Sequence, residues 1–529
     1  MKKLKLVCVA IAMAGAAPTF AGGLLTNTNQ HVAFNRMMSR EASIGIDGVY
    51  YNPAGVVFMG EGHHLAINWQ LAYQTRTINN DYKLFTNNVN NPITPRDFKG
   101  KAFAPVIPSF QYAYNKGKWS FQANFALTGG GGKCTFDDGL GSFEKIVSET
   151  AIAACGLAGV VDQTLGNTLG QQGMEMFTSD QAFGKTGKYS FNSYMHGRQY
   201  YYGLSVGAAY KFCDNFSAFL GVRGVYALTN YYGYVENINV GNMPLYKVLD
   251  PTKENAANIE LSCDQTGVGF TPIIGVDYKT GRWNFSAKYE FKTRIRLKNK
   301  SVNQTPSIGN LPANLANQMT GILTAKYQQA KQQAENTTNT VLSDPKVGAT
   351  MMGLKTQFDQ KLNKAIGEYE DGKKIAGDIP GYLALGIGYS PVDAVRVNVG
   401  FHWFDDKNAT SYNNRQEKLK RGTLEYNAGV EVDVNKKITL STGWQNTNYG
   451  LSEDYMDDKS FVVSSNSAAI GGVYHINKKM DLNVAYFHTF YQHKKTSETV
   501  QLAADKSIVY NSDYTRNNNV FAVGLDINF

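Results

Sequence analysis

Phe521-Ala522-Val523-Gly524-Leu525-Asp526-Ile527-Asn528-Phe529 closes the chain, alternating large apolar residues with small or polar ones and ending on an aromatic carboxy-terminus. A period of two places successive side chains on opposite faces of a strand. A final strand of this kind ending in Phe is the usual closing strand of a bacterial outer-membrane β-barrel. Phe529 would then be the signal read by the barrel-assembly machinery.

The other terminus agrees. Met1 to Ala21 has a basic start (Lys2, Lys3, Lys5), an apolar run from Leu6 to Ala17 and small residues before an expected cut after Ala21, the build of a secretory signal. Cys8 lies too early in that run for lipidation. Past the signal, no stretch is expected to approach the roughly 18 apolar residues of a membrane helix. The 43% hydrophobic content and negative mean hydropathy fit a barrel as well as a soluble protein, because lipid-facing residues alternate with polar lumenal ones. The 32 Tyr and 28 Phe suit interfacial girdles. The net charge of +9 is dispersed, which suits outer-membrane lipid and acidic lipopolysaccharide and excludes nucleic acid as a partner. Of the exported cysteines, Cys134 and Cys155 lie in one loop, where a bridge and free thiols both remain open; the spacing of Cys134, Cys155, Cys213 and Cys263 matches no metal or redox motif.

The alternation is clearest over 283–297. Trp283, Phe285, Ala287, Tyr289, Phe291, Ile295 and Leu297 share one face; Asn284, Ser286, Lys288, Glu290, Lys292, Arg294 and Arg296 share the other. A wall between lipid and a polar interior produces that segregation. Residues 395–403 repeat it. Six short polar turns (115–118, 213–215, 280–281, 390–393, 435–437 and 476–480) alternate with seven longer connections (74–102, 130–197, 236–264, 299–379, 407–421, 449–459 and 492–518). Together they join fourteen antiparallel strands with both termini on the periplasmic side. The fold class is therefore all-β, a closed transmembrane barrel over 63–529.

Residues 22–62 do not alternate. They are Gly- and Ser-containing, with an amphipathic stretch near Phe34 to Met38, and they end in Tyr51-Asn52-Pro53-Ala54-Gly55. A fourteen-stranded barrel leaves a lumen wider than its own side chains fill, and a compact amino-terminal plug would fill it. Pro53 fixes φ and bars Asn52 from helix, which makes a rigid turn.

At this point the chain resembles the FadL-type outer-membrane transporters of long-chain fatty acids and other hydrophobic compounds. The motif Asn52-Pro53-Ala54-Gly55 before the first strand, fourteen strands, long helical outer loops and the terminal Phe carry the resemblance. It implies passive passage of a hydrophobic ligand from outer loops to a pocket beside the hatch; separately, a monomer without cofactor is expected. From there the ligand leaves sideways through a gap made by an inward kink of strand three. Here strand three runs from Trp119 to Thr128 into Gly129-Gly130-Gly131-Gly132, which is either that kink or the flexible start of a loop.

The long loops carry apolar stripes at helical spacing. One runs over 143–177; in the other, Leu315, Met319, Ile322 and Leu323 form one stripe and Met351, Leu354, Phe358, Leu362 and Tyr369 a second, with Asp344-Pro345 as a helix start. Mutual packing accounts for most of these residues and an apolar ligand groove for the rest. A carboxylate ligand would call for a cation; lumenal candidates are Arg36 and Arg40 in the hatch and Arg198, Arg223, Lys292, Arg294 and Arg296 on the wall, with Glu41 and Glu290 as competing partners.

No catalytic residue is assigned. Gly203-Leu204-Ser205-Val206-Gly207 matches the hydrolase Gly-x-Ser-x-Gly, but that motif needs a sharp strand-to-helix turn. Here it lies inside an alternating strand, where Gly203, Ser205 and Gly207 make room for the hatch. The histidines show no metal spacing. An adhesin or structural barrel, or an outer-membrane lipid hydrolase, are the alternative readings.

Overall fold

A computed structural model describes residues 24–306, 308–503 and 506–529. The expected secretory signal lies outside the described residues. Fourteen strands form the wall: β1 Gly62–Tyr82, β2 Arg96–Lys116, β3 Trp119–Phe136, β4 Tyr189–Cys213, β5 Phe216–Val240, β6 Ile259–Thr280 and, in two pieces, β7 Trp283–Glu290 with Arg296–Gln304. The second half is β8 Lys374–Ala376 with Tyr382–Val392, β9 Val395–Phe404, β10 Thr423–Asn435, β11 Ile438–Asn448, β12 Ser465–Asn477, β13 Met480–Tyr491 with Lys494–Ala503, and β14 Lys506–Asn528. The closing strand pairs with the first without interruption from His64↔Asn528 to Tyr82↔Tyr510. Closure is required because an unpaired edge in hydrocarbon costs several kcal/mol per orphaned backbone group.

Alternation produces the two faces of the wall. Leu220, Phe270, Ile470 and Phe521 point outward and are exposed, while Asn284, Lys288 and Glu290 are buried inside. The strands run beyond the expected ends: β1 continues through Gln74, Arg76 and Asn80, and β2 begins at Arg96. Above the hydrocarbon the outer face need not be apolar, so these extensions lack the alternation that marks the wall.

Two irregularities matter. Between β2 and β3 the ladder runs from Lys116↔Trp119 to Phe110↔Phe125, stops, and resumes only at Lys101↔Thr135 and Gly100↔Phe136. In β7 the pair Ile273↔Glu290 is followed by Thr266↔Lys298, one more residue on β7 than on β6. A one-residue slip turns every later side chain to the other face. Hence Ile295, Leu297 and Asn299 are buried, whereas Arg294, Arg296, Lys298 and Lys300 are exposed. The expectation that Arg294 and Arg296 face the lumen is corrected by this bulge.

The outer loops hold helices α3 Gly141–Leu169, α4 Leu311–Lys326, α5 Lys331–Leu342 and α6 Pro345–Ile366. The Asp344 side chain caps α6 by accepting from Lys346 N at 2.8 Å, with Pro345 in the first turn. α5 has no apolar stripe; its buried face is Ala334, Thr337, Thr338 and Val341. α3 is, by length and composition, apolar enough to cross a bilayer, which corrects the expectation that no such stretch follows the signal. Its apolar face instead joins the core formed by the loop helices, through Val147, Leu157, Val161 and Leu165. The four cysteines among the described residues are free thiols.

Candidate functional site

Residues 26–57 lie inside the wall, and Gly60 and Glu61 emerge at its rim. The hatch has two short helices, α1 Val32–Met37 and α2 Gly48–Tyr51, and from Thr26 to Ser43 every residue is buried. The backbone approaches so closely that a Cβ at Gly443 would sit 1.6 Å from the Met37 carbonyl oxygen. Asn52-Pro53-Ala54-Gly55 and the residue after it are bonded to four wall strands. Asn52 Nδ2 donates to Asp277 Oδ2 (2.6 Å), and the Pro53 and Ala54 carbonyls accept from Gln122 Nε2 and Ser217 Oγ, both at 2.7 Å; just beyond, Asn115 Nδ2 donates to the Val56 carbonyl at 2.9 Å. A proline-stiffened turn presents its carbonyls outward, and the wall supplies the donors.

The hatch also holds charge. Arg40 donates to both oxygens of Asp47 (2.7 and 3.1 Å), and Arg36 pairs with Glu431 and bonds Ser441 and Asn483. His402 places Nε2 2.7 Å from Glu41 and Nδ1 2.9 Å from Glu425. On the wall, Arg223 grips Glu290 with two bonds of 2.6 and 2.9 Å, and Lys288 shares that carboxylate. Buried pairs of this kind leave little for a ligand. Arg36, Arg40 and Arg223 are thus occupied structurally. Arg198 is half-buried over the Tyr200 ring, Lys292 donates to the Asn408 carbonyl, and Arg296 pairs with Asp378.

The glycines of β3 stand where its ladder to β2 is open. Gly130 and Gly132 have φ of +90° and +68°, and a Cβ at Gly130 would lie 2.6 Å from the Gln199 carbonyl oxygen. Only glycine adopts that backbone without strain. β3 turns instead to the hatch: Asn27 N donates to the Thr128 carbonyl and Gly130 N to the Leu25 carbonyl, both at 3.0 Å, and Asn27 Nδ2 donates to the Leu127 carbonyl. Across the gap β2 carries Pro105 and Pro108, residues without an N–H and tolerated only where a ladder bond is not needed. Those prolines are the signal in the sequence for the break, and they lie on β2 rather than on the glycine-bearing β3.

Three adjoining cavities reach from the loops to this break. The outermost, about 850 Å³ and partly open to solvent, is lined almost entirely by apolar side chains, among them Ile146, Leu157, Phe183, Leu315, Leu354 and Phe358. The second, about 630 Å³ with the solvent open to it, shares Ile146, Val147, Ile259 and Phe358 with the first and adds Met195, Leu362 and Lys459. The innermost, about 750 Å³ counted in the same way, shares Met195 and Lys459 with the second and is bounded by Leu24, Leu25, Gly130, Gly132, Arg76 and Tyr231. Of the expected groove residues, Leu315, Leu354 and Phe358 line a cavity, while Met319 and Leu323 are fully buried in helix packing and Ile322 and Met351 pack at its edge. Lys459 and Arg76 are the cations at the inner cavities. Both stand outside the motifs read, one in an outer loop and one above the hydrocarbon on β1. Lys459 Nζ donates to the Ala365 carbonyl at 3.1 Å and lies 5.5 Å from the Tyr369 ring centre.

The hydrolase-like motif sits within regular β4. Ser205 Oγ accepts from Arg223 Nε at 3.0 Å, and no histidine bonds it among the described residues. A Cβ at Gly203 would meet Thr128 and Arg223 and one at Gly207 the Phe219 ring, so wall side chains rather than the hatch fill that space.

By sequence the chain matches no family model and no curated protein. By structure it is similar to a FadL homologue of Pseudomonas aeruginosa, with a TM-score of 0.58 at 14% identity over 96% of this chain and 100% of that one. The fold is the FadL-type barrel. It is likewise similar to a TodX deltaS2S3 mutant, a monoaromatic hydrocarbon channel, with a TM-score of 0.51 at 13% identity over 94% of this chain and 99% of that one. The closed fourteen-stranded wall, with its interior plug and helical outer loops, is that of an outer-membrane β-barrel.

Proposed function

We propose that the protein is a passive outer-membrane channel for hydrophobic small molecules. The ligand enters the apolar cavity under α3, α4 and α6, moves inward past Phe358 and Met195, and leaves toward lipid between β2 and β3 at the glycine break. The observation that carries this reading is the continuity of the three cavities, each sharing side chains with the next and the last ending at Gly130 and Gly132. No energy source is needed: an apolar ligand gains roughly 25 cal/mol per Å² of surface hidden from water, and both cavities and bilayer hide it.

The lining also suggests the ligand class. An apolar outer chamber, a second with Lys459 at its border and a third with Lys459 and Arg76 suit a long apolar body with an anionic head better than a bare hydrocarbon. Transfer into vesicles by the reconstituted protein, measured with a long-chain acid and an alkane of equal length, tests both parts. Ala158→Trp, which fills the outer chamber, should slow both ligands several-fold, and Lys459→Met should slow only the acid. Unchanged transfer in Ala158→Trp would overturn the route; equal effects of Lys459→Met on both ligands would overturn the head-group assignment.

A further inference from the structure

The bulge in β7 has an outward consequence. Beyond it Arg294, Arg296, Lys298 and Lys300 occupy alternate positions on one strand and all face outside, and Lys374 on β8 is exposed abreast of Lys298. Arg296 is held by Asp378, but Arg294, Lys298, Lys300 and Lys374 have no ion-pair partner among the described residues. The acidic neighbours are few. Asp264 pairs across from Lys300 and accepts from Asn230 at 2.8 Å, and Asp371 accepts from Ser301 N at 2.7 Å.

Depth gives this row its meaning. A tilted strand crosses the hydrocarbon in about 9–11 residues, so β7, entering at Trp283 beside its periplasmic turn, leaves it near Arg294. The neighbouring β6 shows the same boundary: Phe270 and Val268 are 70% and 64% exposed, and the next outward residue, Thr266, pairs with Lys298. The cations therefore stand at head-group level, directly above the last lipid-facing apolar side chains. Their spacing, two residues or about 7 Å along the strand, lets neighbouring side chains meet separate phosphates or converge on one.

We propose that this face binds a phosphate-bearing glycolipid of the outer leaflet, its phosphates on Arg294, Lys298, Lys300 and Lys374 and its acyl chains along Phe270, Val268 and Phe291. The inference rests on the outer-membrane placement of the barrel and is independent of what crosses it. Side-chain cations here replace the divalent ions that otherwise bridge neighbouring lipid phosphates, so binding should persist in chelator.

The test uses the full-length protein in detergent with two probes, diphosphorylated lipid A and the same glycolipid stripped of phosphate, and native mass spectrometry to count bound lipid. The wild type should retain the phosphorylated form in chelator, at least about tenfold more than the stripped form, and lose the preference at high salt, where exposed charges are screened. Arg294→Ser with Lys298→Ser and Lys300→Ser should remove the preference, while replacing Arg294 by Lys and both lysines by Arg should keep it. Heat-modifiable gel mobility reports whether each barrel is folded. The salt arm needs no variant, so a misfolded triple variant leaves the test intact. Equal retention of the two lipids by wild type, or an unaltered preference in the folded serine variant, would overturn the proposal.

Discussion

Replacing Gly130 with Val probes the break in β3 directly. A side chain there must take φ of +90° and place its Cβ 2.6 Å from the Gln199 carbonyl oxygen and 2.9 Å from its carbon. The strained backbone costs about 1–3 kcal/mol, and forcing an atom into a filled backbone contact costs about 1–3 kcal/mol more. Against this, three hydrogen bonds tie Leu25 and Asn27 of the hatch to Leu127, Thr128 and Gly130, together about 2–4 kcal/mol at the usual net value. The two sums are comparable, so the cheapest relief is local: β3 lets go of residues 25–27 and shifts at the break, while the ladder from Lys116↔Trp119 to Phe110↔Phe125 keeps the wall closed. Transfer of a labelled long-chain acid into vesicles should fall several-fold with the folded gel mobility unchanged. Gly117→Ala is the control, since φ there is +57° but nothing lies within 4 Å of the added carbon. Wild-type transfer by the Gly130→Val protein would refute the reasoning.

Asn52→Ala should free the hatch turn from β6, since it leaves the buried Asp277 with Asn284 as its other partner; limited proteolysis should cut the hatch faster than in wild type, at a stability cost of about 1–3 kcal/mol. Burial in the loop after β9 pushes the Asp406 carboxyl up to about 6, although Thr423 N donates to it at 2.8 Å. Because its folded value lies above the ordinary one, the stabilising contribution of the proton is complete below about pH 4 and is lost as pH rises through 6, at most about 3 kcal/mol. The melting temperature should therefore fall across pH 4 to 6 and fall less in Asp406→Asn; identical slopes would contradict the assignment. Deleting Phe529, whose ring stacks on His63 with centres 5.5 Å apart and whose backbone pairs with β1, should lower the yield of assembled barrel in cells, read as the folded band on a gel.

Much of the wall was legible because lipid and lumen impose opposite chemistries on alternate residues: Trp283 to Glu290 and Phe521 to Phe529 announce their faces, and the six tight turns fall where the polar breaks are. The slip after Glu290 was not legible. Phe291-Lys292-Thr293-Arg294-Ile295 continues the alternation but for Thr293, and only pairing with β6 reveals that the faces have exchanged. α5 escaped notice because Thr and Ala fill its buried face. At the site, the hatch motif was readable, since Asn-Pro-Ala-Gly before the first strand implies a stiff turn. The cations could not be apportioned between ligand and wall, because partners distant in sequence, Glu431 for Arg36 and Glu290 for Arg223, decide whether an arginine is spoken for. Lys459 and Arg76 enter the inner cavity through a loop and a strand extension that carry no periodic signal.

The central claim is a route through the loops, past Phe358 and Met195, to the opening between β2 and β3. Irradiating the reconstituted protein with a long-chain acid that carries a photoreactive group near its tail, then mapping the labelled peptides, tests it most directly. The account predicts adducts on α6 around Phe358 and Leu362, on β4 near Met195, and on the facing stretches Ala102–Ser109 and Ala126–Cys134. Labels confined to the outer helices, or on lumenal residues far from that opening, would contradict it.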